Sequence, residues 1–258
     1  MARAMWKGVI RLGEERVPVK LYAAAEDRTV HFRLLHRKDQ APVTQAMVNP
    51  HTDEVVPYAE ARRAFVSGEG DMVVLSDDEL AEIEPAPSRD IEILQLLPQR
   101  AIDHRWYQRP YFLGPDDGAD APYAALAAAL ASSGREALAR WVMRKKEYLG
   151  ALRVEAGYLM LVSLRYAEEV VSVQDLEAPG GPKLAEKELA MAAQLVEMLT
   201  DRFLPREYRD EYRQRIEELI ETKARGGRVR HKAPPKRRPA EDLTAALEAS
   251  LRQERKRA

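Results

Sequence analysis

Three consecutive cations, Arg144, Lys145 and Lys146, have the types and spacing best suited to a defined binding chemistry in this sequence. Guanidinium and ammonium groups bind phosphate oxygens, and neighbouring cations on one scaffold grip a polyanion. Alternating apolar residues at 138–143 predict a strand before the cluster, and the apolar run at 158–164 predicts a strand buried on both faces after it. The sequence therefore predicts a cationic turn between two strands. A solvated charged face is the simpler interpretation of the same run.

Motifs of the common enzyme classes do not occur in the sequence. Gly-x-Ser-x-Gly, His-Glu-x-x-His, the P-loop and the dinucleotide glycine fingerprint are all missing, and the five histidines are scattered. The acidic run at residues 77–79 follows Ser76 and is explained as a capping box at the start of a helix. We therefore predict no catalytic residue, no cofactor and no metal site. A carboxylate-metal nuclease is the remaining enzymatic hypothesis, and it requires metal-dependent cleavage by the purified protein.

Charge is distributed unevenly along the 258 residues, although the net charge at pH 7 is only −1. Residues 223–258 carry 12 Lys and Arg against 4 Asp and Glu, so a basic tail follows an acidic body. Focused cations of this kind are typical of proteins that bind polyanions. The sequence contains no cysteine, which excludes disulfides and thiolate zinc sites. No apolar run approaches the roughly 20 residues that span a bilayer, so we expect a cytoplasmic protein without a membrane partner.

Period-two alternation of apolar residues predicts a mainly antiparallel sheet in the first part of the chain. The predicted strands that precede the cationic cluster cover residues 6–12, 17–22, 30–34, 91–97 and 107–113. Residues 37–57 have no such pattern and predict an excursion from the sheet. Helices are predicted to start after Ser76 and to cover residues 121–131.

The composition changes to that of helices after the Gly- and Pro-rich linker at residues 178–182. Residues 189–203 and 208–220 each place an apolar stripe at helical spacing. This pattern predicts an arm of two amphipathic helices, which either folds back on its own sheet or clasps another subunit.

The basic tail is predicted to be disordered over residues 226–240, because Gly, Pro and cations cannot bury apolar surface. Its candidate phosphate contacts are Arg228, Arg230, Lys232, Lys236, Arg237 and Arg238. Leu243, Leu247 and Leu251 then recur at helical spacing and predict a short helix that forms on a partner. The predicted domains are therefore a core at 1–182, a helical arm at 183–225 and the tail at 226–258.

Six segments of the sequence match, in the same order, short motifs of one known protein family. They are MARAMWKGVIRLGEERVPVKL at 1–21, EVVPY at 54–58, MVVLSD at 72–77, RKKEYLGALR at 144–153, FLPREYRDEY at 203–212 and DLTAALEASL at 242–251. With these motifs the chain resembles the prokaryotic Ku family of DNA end-binding proteins over nearly its whole length. Each motif is moderately specific, and their shared order is much more specific.

The resemblance implies a mixed, mainly β fold: a Ku-type β-barrel core with an extended bridge, followed by an α-helical arm and a basic tail. It also implies a homodimer, in which the barrels and bridges close a ring around double-stranded DNA threaded from an end. The helices at 184–222 then embrace the partner subunit, and DNA ligase D is recruited for non-homologous end joining. A nucleoid-associated protein that binds and does not catalyse is expected.

The resemblance also ranks the candidate DNA contacts. Arg144, Lys145 and Lys146 are expected to line the channel, and the tail cations are expected to add non-specific DNA affinity. Leu243, Leu247 and Leu251 become the candidate ligase-docking residues. The weaker candidates for phosphate contact are Lys20, Arg28, Arg33, Arg37, Lys38, Arg62, Arg63 and Arg153.

Two departures from the family pattern bear on local structure. Asn49 and Thr52 stand where some members have a Cys-x-x-Cys knuckle, so no zinc is expected there. Leu12-Gly13-Glu14-Glu15 replaces the usual Phe-Gly-Leu-Val of the first hairpin. A second hypothesis stays open beside the ring, namely a non-topological DNA-binding or bridging protein that acts mainly through the basic tail.

Overall fold

A closed barrel of seven strands holds the hydrophobic core in the computed structural model. The structure describes residues 3–177, 180–181, 185–226 and 243–255. The barrel strands are β1 (Trp6–Leu12), β2 (Glu15–Ala23), β5 (Asp90–Pro98), β6 (Tyr107–Pro115), β7 (Arg135–Met143), β8 (Lys146–Glu155) and β9 (Tyr158–Leu164). Their order around the barrel is β1, β2, β6, β9, β8, β7, β5, and only the closing pair β1 and β5 is parallel. The predicted mainly β fold with an antiparallel core is confirmed.

Alternation along most barrel strands supplies the core, as the period-two pattern predicted. In β7, Ala137, Ala139 and Trp141 belong to the core cluster, and each is at most 1% exposed. In β9, every residue after Tyr158 is buried, so the prediction of a strand covered on both faces is confirmed. Closing the sheet also removes unpaired edges within the barrel.

Helix α2 (Asp120–Ser133) is fixed to the barrel by one buried tyrosine. Tyr123 Oη donates a hydrogen bond to the carbonyl of Leu113 at 2.7 Å and accepts one from the backbone N–H of Leu159 at 2.9 Å. The predicted helix at 121–131 is confirmed. Gly134 ends it in the left-handed conformation (φ 60°), which glycine adopts without steric cost.

The predicted strand at residues 30–34 is wrong. The alternation is present in the sequence, but no strand is assigned there, and Phe32 and Leu34 are each 67% exposed. An alternating pattern forms a strand only when a neighbouring strand satisfies its backbone. The excursion predicted at residues 37–57 is confirmed, because the strand pairing of this segment is limited to isolated bridges, Leu35 with Pro42 and Val48 with Val55.

Two short turns in this excursion are closed by side-chain hydrogen bonds. Asn49 Oδ1 accepts from the backbone N–H of His51 at 3.0 Å, and Thr52 Oγ1 donates to Glu54 at 3.3 Å. In the other turn, Asp39 Oδ1 lies 2.7 Å from His36 Nδ1. Among the described residues, no group of three His, Asp or Glu side chains is arranged to hold a metal ion.

A small hairpin and a helix complete the excursion. The hairpin pairs β3 (Arg63–Val66) with β4 (Met72–Leu75), and nearly all of its residues are exposed. Helix α1 (Asp77–Glu82) begins with the predicted capping box. Ser76 Oγ accepts from the backbone N–H of Glu79 at 3.2 Å, and Glu79 accepts from the Ser76 N–H at 2.8 Å.

The chain divides into two compact units, one of Met1–Arg28 with Arg33–Asp175 and one of Thr29–Phe32 with Leu176–Ala258. The helices of the second unit are α3 (Glu186–Leu199), α4 (Glu211–Ala224) and α5 (Leu243–Arg255). The two predicted arm helices are thus present, and neither α3 nor α4 buries a residue.

The terminal helix was expected to form on a partner, and in the structure it packs on α3 of its own chain. Leu251 is 7% exposed, and Thr244 Oγ1 donates a hydrogen bond to Glu188 Oε1 at 3.0 Å. A helix of this length gains stability by burying its apolar face, and α3 provides a surface for that burial. Within the described part of the chain, no helix has the length and apolarity needed to cross a membrane.

Candidate nucleic-acid interface

The cationic cluster lies on a tight hairpin between β7 and β8. Met143 pairs with Lys146, so the connecting turn contains only Arg144 and Lys145. Both turn residues have positive φ, 52° and 63° respectively. This combination is that of a type I′ turn, which usually contains Asn-Gly because other residues are strained there. Two cations therefore occupy a turn that their side chains disfavour.

All three predicted channel residues are exposed on this hairpin. Lys145 has a partner within the chain, since its Nζ lies 2.9 Å from Glu84 Oε2. The Lys145 side chain is nevertheless 75% exposed. Exposed pairs of this type contribute about 0–1 kcal/mol, so a polyanion can displace Glu84 at little cost.

Lys146 lies over an aromatic stack. Its Nζ is 5.6 Å from the centroid of the Tyr148 ring, a cation–π distance. Tyr148 in turn stacks on Trp141, with ring centroids 5.3 Å apart and ring planes inclined by 14°. Trp141 is 1% exposed, so the stack connects the exposed ammonium to the core.

Lys20 is engaged in a network that includes the turn after β6. Its Nζ lies 3.0 Å from Asp116 Oδ1 and 2.6 Å from Asp117 Oδ1, and Lys7 Nζ lies 2.9 Å from Asp116. Hydrogen bonds to Asp117 and Asp116 raise the pKa of Lys20. Hydrogen bonds from Lys7, from the Asp117 N–H and from Lys20 hold the pKa of Asp116 well below its usual range. Lys20 thus supports the fold of this turn.

Arg153 belongs to a half-buried cluster on the barrel wall. Its Cζ lies 5.2 Å from the centroid of the Tyr107 ring, and Tyr107 Oη donates to Glu136 Oε2 at 3.3 Å. Burial, followed by the nearby Glu136 charge, raises the pKa of Tyr107. The Arg153 Nε is buried and has no hydrogen-bond partner among the described residues. This guanidinium is therefore less available to a phosphate than the hairpin cations.

The other predicted cations are exposed and lie in or near the excursion. Arg28 pairs with Glu26 at 3.1 Å, and Arg63 lies 3.7 Å from Asp77. Of the predicted cations, four more are exposed and form no ion pair with another described residue, namely Arg33, Arg37, Lys38 and Arg62. The tail cations, Arg228, Arg230, Lys232, Lys236, Arg237 and Arg238, lie outside the described residues.

The predicted docking leucines fall on α5. Leu251 is buried and Leu247 is half-buried, whereas the side chain of Leu243 lies outside what the structure describes. The apolar stripe of α5 is therefore at least partly engaged within this chain.

The sequence interpretation missed the aromatic support under Lys146. A two-residue turn at 144–145 makes residue pairs face each other across the hairpin, and Trp141 with Tyr148 is one such pair. A predicted two-residue turn at 144–145 would have been enough to predict this aromatic pair from the sequence.

Comparison with known proteins agrees with this architecture. A family profile described as the Ku70/Ku80 beta-barrel domain matches residues 11–191. The non-homologous end joining protein Ku of Solibacter usitatus is 34% identical over 98% of this chain and 94% of its own length. The non-homologous end joining protein Ku 2 of Geotalea uraniireducens is 36% identical over 96% and 97%. The Ku protein of Mycobacterium tuberculosis strain H37Rv is 35% identical over 97% and 95%. By its fold and its full-length similarity to these relatives, this chain belongs to the Ku family of non-homologous end joining proteins.

Proposed function

We propose that this chain binds the ends of double-stranded DNA without sequence preference, as a homodimeric ring, and recruits DNA ligase D for non-homologous end joining. Family membership supports a DNA-binding repair protein that is not an enzyme. The observation that carries the binding site is the hairpin that exposes Arg144, Lys145 and Lys146 at the end of two core strands. Phosphate contacts from such cations position a protein on DNA without reading bases.

Exposed apolar surface supports the homodimer. Val196 and Leu199 on α3 are 67% and 59% exposed, and Tyr212 on α4 is 68% exposed. On the β3–β4 hairpin, Phe65 and Met72 are 63% and 68% exposed. Contiguous exposed apolar patches mark protein interfaces, and a two-stranded hairpin is only marginally stable alone. A second copy of the chain would cover the apolar residues of the arm helices and would also stabilise the β3–β4 hairpin.

The expected salt dependence follows from the number of phosphates neutralised. If the hairpins of two subunits supply about six contacts, the slope of log affinity against log salt is about −5. A fluorescence anisotropy titration of a short duplex at several salt concentrations measures this slope. Base substitutions in the duplex are expected to leave the affinity unchanged.

The ring is tested by topological trapping. Protein is loaded on linear DNA, the DNA ends are ligated, and the complex is washed with concentrated salt. Retention on the ligated circle, and loss from circles that were closed before the protein was added, is the expected outcome. Equal retention on both substrates contradicts the ring.

The alternative is a non-topological DNA-binding protein that acts through its basic tail. Truncation after Ala224 separates the two hypotheses. The ring predicts that end loading and trapping survive the truncation, whereas tail-dependent binding disappears with the tail.

Recruitment of DNA ligase D is proposed to use α5. Because Leu251 is buried in the structure, docking through the leucine stripe requires α5 to leave α3. A pull-down with purified ligase D, using the wild type and Leu247→Asp, is the direct test. Undiminished capture by Leu247→Asp excludes the stripe as the docking element.

A further inference from the structure

Lys146 occupies an unusual place at the mouth of the barrel. It faces Met143 across the hairpin, and directly opposite residues on paired strands share one face of the sheet. Met143 and Trp141 are both core residues on this face. Lys146 therefore lies on the face of the sheet that carries the core residues, yet its side chain is exposed.

A simple role would be to cover the core with the aliphatic part of its side chain. Tyr148 indicates a more specific one. It lies two residues along β8, on the same face as Lys146, and its ring lies beneath the ammonium at 5.6 Å. The stack on buried Trp141 fixes the orientation of that ring. A flexible lysine thereby receives a defined electrostatic partner on a rigid support.

Gly150 makes room for this stack, because it has no side chain where the indole ring of Trp141 lies. A Cβ atom at residue 150 would lie 2.5 Å from Cζ3 of Trp141 and 2.8 Å from the carbonyl oxygen of Val162. Any larger residue would push the indole ring out of its place. Three positions of the β7–β8 hairpin are thus matched to place one aromatic ring below Lys146.

We propose that Tyr148, supported by Trp141, is a positioning residue that holds the Lys146 ammonium in place for contact with a DNA phosphate. The two-residue turn sets the backbone positions of Arg144 and Lys145, so the hairpin presents all three cations together before DNA binds. Fixing a lysine in advance removes part of the side-chain entropy that binding would otherwise cost. The inference rests on the DNA-binding function proposed above.

A double-mutant cycle on end binding tests the proposal. The variants are Tyr148→Leu, Lys146→Gln and the double variant, with Tyr148→Phe as the conservative replacement. We expect Tyr148→Leu to weaken affinity for a blunt duplex about threefold for each subunit of the ring, the size of one exposed cation–π contact. In the Lys146→Gln background the same change should have no further effect, and Tyr148→Phe should retain the affinity.

Tyr158→Leu is the matched control, because Tyr158 is a 60% exposed tyrosine at the start of β9. It should bind the duplex as the wild type does. An equal loss from Tyr148→Leu with and without Lys146 assigns Tyr148 a merely structural role and overturns the inference. Unweakened binding by Tyr148→Leu overturns it as well.

A second measurement needs no DNA. The ring current of Tyr148 should shift the Lys146 ε-methylene protons upfield in the wild type and in Tyr148→Phe, and this shift should disappear in Tyr148→Leu. An unshifted resonance in the wild type overturns the proposed placement. A wild type that does not bind DNA ends overturns the proposed function itself, whereas tight wild-type binding with additive variants overturns only this inference.

Discussion

Arg144 and Lys145 occupy a left-handed turn for which Asn-Gly is the favoured pair. Holding a side-chain-bearing residue in this region costs on the order of 1 kcal/mol. Strained positions of this kind concentrate at functional sites, where the surrounding structure sustains them. Here the strained two-residue turn places two cations at the tip of the hairpin, which is consistent with the proposed phosphate contacts.

Replacing this pair by Arg144→Asn with Lys145→Gly should separate stability from binding. We expect the free energy of unfolding in urea to rise by about 1 kcal/mol, because the strain is relieved. We also expect the log–log salt slope of DNA binding to fall in magnitude by about 3–4, because two phosphate contacts are lost from each subunit of the dimer. An unchanged slope would place the DNA contacts elsewhere.

Ala156→Asn is the control for this double variant. Ala156 has φ 48° in the next turn, between β8 and β9, where it is followed by Gly157. Asparagine tolerates the left-handed region better than alanine, so this variant should also be stabilised. Its DNA affinity and salt slope should equal those of the wild type.

The Asp116 carboxyl should make stability sensitive to acid. Its pKa is lowered in the folded chain, first by the hydrogen bond from Lys7. A lowered pKa contributes stability above the unfolded-state value of about 3.9, and that contribution is lost as the pH falls towards the folded-state pKa. We expect the urea concentration at the unfolding midpoint to decrease as the pH is lowered below about 4. In Asp116→Asn the midpoint should depend less on pH in that range. Parallel profiles from pH 2 to 6 would contradict this assignment.

The sequence was informative about residue types and uninformative about their partners. The three clustered cations were found from their spacing alone. Lys20 was ranked as a phosphate contact, but its partner Asp117 is 97 residues away and meets it only in the folded barrel. The positive φ angles of Arg144 and Lys145 were also hidden, because neither glycine nor asparagine marks the turn.

At the level of elements, α2 depends on the hydroxyl of Tyr123. Tyr123→Phe leaves the Leu113 carbonyl and the Leu159 N–H without their buried partner. We expect a loss of about 1–3 kcal/mol in the free energy of unfolding, measured by urea denaturation. DNA-end affinity at a temperature where both proteins are folded should be unchanged.

Tyr158→Phe serves as the control, since it removes a hydroxyl from an exposed tyrosine. Its unfolding free energy should stay within about 0.5 kcal/mol of the wild type. A comparable loss in both variants would show that the Tyr123 hydroxyl has no special role.

The barrel strands were predictable because most show one buried face as an alternating pattern, and β9 shows two buried faces as a continuous apolar run. Residues 30–34 show the same pattern without forming a strand, because no local signal reports a missing neighbour. The packing of α5 on α3 was not predicted for a related reason. Its leucine stripe indicates that the helix needs a surface, and the sequence does not say whether that surface is in the same chain.

For the whole molecule, the apolar stripe of the arm should decide the oligomeric state. Val196 is 67% exposed in the last turn of α3. If a second chain covers it, Val196→Glu buries an unpaired charge and should dissociate the dimer. Light scattering coupled to gel filtration should give the mass of two chains for the wild type and of one for the variant. Topological trapping on DNA should be lost with the dimer.

Gln194→Glu is the matched control, because it adds the same charge to α3 at an exposed position outside the stripe. It should remain dimeric and should still be trapped on ligated circles. If both variants have the mass of two chains, the arm is not the dimer interface.

The way in which the two turns of the excursion are closed also determines which chemical agents could open them. They are closed by Asn49, Thr52 and the His36–Asp39 pair, whereas a thiolate–zinc knuckle depends on a bound metal and on reduced sulfur. Hydrogen bonds of this type are unaffected by chelators and by peroxide. The agents that oxidise DNA and strip zinc from thiolates should therefore leave these two turns closed.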